Sequence, residues 1–318
     1  MKAKSPCNIT EKLQKIEDGE LRGEGPKRSY PEDIALYGGI SGPELAVDNF
    51  ALCDGCTITK TYSHIMSHYI MAFNKPKKPS APHPAPWKSA RGGFSFDINS
   101  QLFLREGCRP TTFDRLNTLW LITALLRLKT NEAIRMPIVS DVSFIDIPSC
   151  SNEPNLWPIE MYNINNRTRS KVNKKIEVEH LLWVKKYMTN ASIMSETVEF
   201  NRAFQIYDSL RWFIMIGPSI VAAWAAMETI FKPSGNGIAR QLSKSISAFL
   251  TNKRSDRDRM FQTVRDLYTE RSSSVHACKS PDYNTYEATL SIARAVLLQC
   301  IENCSMPDAK LLQDAWKE

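Results

Sequence analysis

Arg271 and His276, five residues apart in the stretch RSSSVH, are the pair whose types and spacing best suit chemistry. The segment 256–276, DRDRMFQTVRDLYTERSSSVH, carries a stripe of Met260 and Phe261, Val264, Leu267 and Tyr268, Arg271 and Val275, the spacing of one helix face. Arg271 therefore stands where an apolar side chain is expected. A guanidinium cannot shed its charge there, so it requires a carboxylate, a cluster of carbonyls or an anionic ligand. His276 follows about 7.5 Å further along the helix axis and roughly 140° around it, and a long arginine side chain can wrap toward it. Two arrangements fit this spacing. Both residues build one site, or Arg271 pairs with an acid such as Glu228 or Glu270 and His276 closes a helix whose dipole favours positive charge.

The elements that must position this pair are readable on either side of it. Beyond about residue 195 strand signals stop, and segments 198–216, 218–231, 236–251, 256–276 and 283–304 each carry helix-length apolar periodicity. Their short breaks favour antiparallel neighbours, so the spacing predicts a bundle of about five helices. Ahead of it the texture changes. Residues 45–53 and 57–62 flank Asp54-Gly55, a hairpin turn signal because both central residues need positive φ. Residues 75–87 hold five prolines and read as an extended loop. Residues 92–97 and 101–104 read as short strands, 114–129 as a helix capped by Asp114, and 134–147 as an alternating strand. The chain is thus expected to be α+β: a lead-in over 1–30, a mixed, strand-rich domain over 31–176, a connecting helix over 177–195 and an all-helical domain over 196–318.

The stretch from Leu267 and Tyr268 through Arg271 to Val275 and His276 resembles the Arg-x(4–6)-His signature of HEPN domains, in the form of the Apea-like family. The upstream run from Ala225 through Glu228 to Phe231 is similar to that family's apolar helix with its glutamate. The likeness covers roughly the C-terminal third of the chain. Where many active members carry Asn, Asp or His directly after the arginine, this sequence has Ser272. The resemblance implies metal-independent cleavage of RNA at a homodimer interface. His276 would act as general acid or base and Arg271 would hold the phosphate, with Tyr268 and Ser272 orienting groups and Glu228 positioning Arg271. It also implies a toxin-like or defence-associated role, with the N-terminal domain sensing a trigger. A non-catalytic HEPN module binding RNA, nucleotide or a partner protein is the alternative.

Two weaker patterns invite other ligands. Cys53, Cys56, His64 and His68 are four potential zinc ligands, although Cys53 and Cys56 also simply bracket the hairpin turn. The basic run of Arg167, Arg169, Lys171, Lys174 and Lys175 could track an RNA backbone or be a solvated loop. The chain of 318 residues has a net charge of +7, a balance that permits nucleic-acid binding without demanding it. Its N-terminus lacks the apolar run of a secretory signal, so the eight cysteines are expected as reduced thiols in a cytoplasm. The most apolar stretch, 212–227, is split by Gly217 and Pro218 and is too short to span a bilayer. No cofactor is needed for the implied chemistry, and a structural zinc is the one metal the sequence suggests.

Overall fold

The computed structural model describes residues 34–73, 78, 87–161, 175–276 and 282–316. Six strands come first: β1 (Leu36–Ser41), β2 (Asn49–Cys53), β3 (Cys56–Phe73), β4 (Trp87–Leu104), β5 (Arg135–Ser140) and β6 (Leu156–Pro158). Helix α1 (Arg115–Thr130) intervenes between β4 and β5. Seven helices then follow: α2 (Val178–Met194), α3 (Val198–Ser209), α4 (Ile216–Phe231), α5 (Ile238–Leu250), α6 (Arg254–His276), α7 (Tyr283–Asn303) and α8 (Ala309–Asp314). The strands form one sheet in the order β2-β3-β4-β1-β5-β6. The class is α+β.

The expected hairpin is present, with Cys53 and Cys56 as register partners across Asp54 and Gly55, but only Gly55 takes a positive φ, 75°, where the sequence reading has both turn residues positive. The two short strands read over 92–97 and 101–104 are instead one strand of 18 residues. Pairing overrides the weak strand propensity of Asn99 and Ser100, because Ser100 pairs with Ile40 of β1 and the Asn99 amide donates to the Gly42 carbonyl at 2.7 Å. The strand read over 134–147 ends early, at Ser140. There the Ser140 hydroxyl accepts from the Val142 amide, and the Asp141 carboxylate accepts from the backbone and side chain of Asn155. These side-chain bonds offer the backbone a turn in place of the ladder. In β1, Gly39 leaves the space that Phe144 fills, since a Cβ there would lie 2.7 Å from its ring.

The described residues fall into two compact units, and the division lies within β3 and β4. One contains Ile65–Phe96 and the other Asp33–His64 with Asp97–Glu318. The second unit holds most of the sheet and all of the described helices, and no division falls at residue 176 or 195. Helix α1 explains why. Its N-cap is Asp114, whose carboxylate accepts from the Asn117 amide at 2.8 Å, as its sequence predicts. Leu119, Leu121, Ile122, Ala124, Leu125, Leu126 and Leu128 surround it and are all buried. A helix apolar on every side must be covered on every side. Strands β1 and β5 lie against it, as do α2, α3 and α7.

One charge is set into that core. Arg127, fully buried, forms a bidentate pair with Asp208 of α3 at 2.9 and 2.8 Å and meets both oxygens of Glu160 at 2.7 and 2.8 Å. Burial alone would push the guanidinium down, but Asp208 and Glu160 overcome it and the net direction is up. Glu160 also accepts from the Met136 amide of β5 at 2.7 Å, so the network joins sheet, central helix and helical layer. At the C-terminus of α1, Arg294 of α7 donates to the Leu128 and Lys129 carbonyls, which the helix leaves without partners.

The lead-in over 1–30 and the Pro-rich loop lie outside the described residues, apart from Lys78 and from Trp87, which opens β4. Among the described residues no helix is long and apolar enough to cross a membrane. The apolar stretch 212–227 contributes an exposed corner at Ile214 and Met215 and the first three turns of α4.

Candidate functional site

The site grows from two helices. On α6 the stripe read from sequence is the buried face: Val264 is fully buried, Leu267 nearly so, and Tyr268 and Arg271 half-buried, while the residues between them are exposed. On α4, Trp224 and Glu228 stand four residues apart and so share a face. The Trp224 ring meets Tyr268 edge-on, with centroids 4.9 Å apart, which fixes the phenol between the two helices.

Three polar groups converge there. The Tyr268 hydroxyl donates to the Glu228 carboxylate at 3.0 Å, and Arg271 Nη1 donates to that hydroxyl at 3.4 Å. Arg271 Nη2 lies 3.5 Å from Glu228 Oε1, and the guanidinium carbon sits 5.1 Å from the Tyr268 ring centroid. Of the two acids the sequence offers as partners, Glu228 therefore pairs with Arg271. Burial, then the bond to Glu228 and its charge, raise the Tyr268 pKa, so the phenol stays protonated and remains a donor through neutral pH. Two N–H donors beside it, Arg271 Nε and Trp224 Nε1, are buried with no hydrogen-bond partner among the described residues. Each such orphan costs about 1–3 kcal/mol unless an acceptor arrives.

Arg271, Tyr268 and Glu228 are thus brought together. His276 and Ser272 lie on the last turns of the same helix, with side chains outside the described set. Of the basic run, Arg167, Arg169, Lys171 and Lys174 also lie outside the described residues, and Lys175 is exposed. Among the described side chains the zinc set is not brought together. Cys56 and His64 are eight residues apart on β3, roughly 26 Å at the rise of an extended strand. His64 instead places Nδ1 2.8 Å from Asp97 of β4. The side chain of His68 is outside the described set. Among the described residues no group of three or more His, Cys, Asp or Glu is placed to hold a metal ion.

Two residues of these clusters were not singled out by sequence. Trp224 is one, signalled only by its spacing of four from Glu228. Cys108 is the other: it lies in the loop after β4, and its thiol donates to the Asp54 carbonyl at 3.3 Å beside Cys53. The chain matches no protein-family model, no curated protein and no solved structure.

Proposed function

We propose that this chain is a metal-independent endoribonuclease of the HEPN kind, working as a homodimer through Arg271 and His276. The observation that carries the reading is the guanidinium of Arg271, set at an interior stripe position and steered by Glu228 and Tyr268 while its Nε lacks an acceptor among the described residues. A cation so placed suits an anionic ligand, and a phosphodiester is the anion whose cleavage a nearby histidine can serve. RNA supplies its own nucleophile. A general base takes the proton of the 2′-hydroxyl, the 2′-oxygen attacks phosphorus, and the bond to the 5′-oxygen breaks as a general acid protonates it. His276 fills one of these proton-transfer roles in each protomer, and Arg271 opposes the charge gathering on the phosphorane. The products are a 2′,3′-cyclic phosphate and a 5′-hydroxyl.

The role consistent with that chemistry is a regulated, toxin-like or defence-associated enzyme in the cytoplasm, with residues 31–176 responding to a trigger. The second reading is a HEPN module that binds RNA, nucleotide or a partner protein without turnover. It draws on the Arg271–Glu228 ion pair, which already gives the guanidinium a carboxylate. Cleavage of RNA in the presence of EDTA, followed beside binding, separates the two. The enzyme reading expects Arg271→Ala to abolish cleavage while circular dichroism is unchanged. Binding without cleavage by the wild-type chain, lost in Arg271→Ala, favours the module.

A further inference from the structure

Three of the described cysteines gather at one turn. Cys53 ends β2 and Cys56 begins β3, and the two are directly opposite in the hairpin register. Opposed residues of an antiparallel pair have Cα atoms about 4.5–5.5 Å apart, inside the window a disulfide spans. The third, Cys108, folds back onto the same turn. Its thiol and that of Cys53 both donate to the Asp54 carbonyl, at 3.3 and 3.5 Å. The fit is close enough that a Cβ on Gly55 would lie 3.1 Å from Cys108 Sγ. The loop is held there by Arg105, whose amide donates to the Gly55 carbonyl at 2.8 Å and whose guanidinium meets the Asp54 carboxylate at 2.8 Å. Cys53 is the centre of the group, register partner of Cys56 and sharing the Asp54 carbonyl with Cys108. Cys53 and Cys108 are half-buried and Cys56 is fully buried.

We infer that Cys53, Cys56 and Cys108 form a dithiol–disulfide exchange site that reacts with small-molecule disulfides. The thiolate of Cys108 attacks one sulfur of the small disulfide, forming a mixed disulfide and releasing one thiol. A neighbouring protein thiolate then attacks the protein-bound sulfur and releases the second thiol. Two protein S–H bonds become one S–S bond, two electrons pass to the small disulfide, and the two protons end on its two thiols. Cys53 belongs to the final bond, with Cys108 or Cys56 as its partner. A bond to Cys108 ties the hairpin turn to the loop that leads into α1.

The test uses the full chain, reduced, freed of reductant and treated with oxidised glutathione under native conditions, with non-reducing peptide mapping over time. The expected result is loss of two thiols per chain in a fast phase, with the bond mapped to Cys53. Cys56→Ser retains a bond between Cys53 and Cys108, and Cys53→Ser yields a glutathione adduct with no intramolecular bond at the turn. Mapping of the wild-type chain decides the matter even where a variant fails to fold. A fast bond that omits Cys53, persistence of that bond in Cys53→Ser, or thiols that react only after a chelator strips a bound metal would each overturn the inference.

Discussion

At the Tyr268 hydroxyl, one proton joins two helices and one charge. It is given to Glu228 and the same oxygen accepts from Arg271, so the phenol sets where the guanidinium points. Tyr268→Phe is expected to leave the fold intact, since the ring and its contact with Trp224 remain, and to lower kcat/KM for RNA about tenfold. Steady-state kinetics beside circular dichroism check it, and an unchanged rate would remove the phenol from the positioning of Arg271. Much of this site was legible in the sequence. Arg271 announced itself because a charge interrupted an apolar stripe, and Glu228 was one of two acids within reason. Trp224 was not legible, because a tryptophan in an apolar run looks like any core residue until a neighbouring helix shows which edge it covers. Cys108 was hidden for a different reason: spacing along the chain does not say which loop closes on which turn.

Helix α2 offers a test at the scale of an element. Its first turn is a capping box, in which Glu177 serves the His180 backbone while His180 Nδ1 accepts from the Glu177 amide at 3.0 Å. That bond requires neutral imidazole. Burial first, and then the charges of Lys129 and Arg294, hold the His180 pKa below its ordinary value of 6.5. A histidine depressed in the folded state contributes stability that is fully present above its unfolded value and is lost as pH falls through the folded value. Acidification from pH 7.5 to pH 5 should therefore weaken the cap, by about 1 kcal/mol. His180→Gln, which keeps an acceptor that does not titrate, should lose less of its Tm over the same range. Equal losses in scanning calorimetry would contradict the assignment. Helix positions in general followed from apolar period and caps, and α1, α2 and α7 lie close to where the sequence put them. Strand lengths did not follow, because the pairing that carries β4 through Asn99 and Ser100 is not local.

Across the whole molecule, the question is whether the helices stand apart from the sheet. Sequence texture suggested a boundary near 176–196, yet Arg127 of α1 reaches Asp208 of α3 and Glu160 beside β5 with no exposed surface of its own. Cutting the chain there would part Asp208 from Arg127 and leave that buried carboxylate to Arg211, and breaking a buried pair costs about 3–5 kcal/mol. A fragment 196–318 would also expose the faces of α3 and α7 that cover α1. We therefore expect that fragment to melt far below the full chain, and Arg127→Met to lower the urea midpoint of the full chain. A fragment as stable as the parent would show that the core is divided where the sequence texture changes.

Under the proposed function, Arg271 and His276 cut RNA without a metal. It is tested most directly by incubating labelled RNA with wild-type and His276→Ala chains in EDTA and identifying the ends of any products. The expected products are 2′,3′-cyclic phosphate and 5′-hydroxyl ends from the wild type, and none from a folded His276→Ala chain. Cleavage that survives the substitution, or that yields 5′-phosphate ends and stops in EDTA, would contradict it.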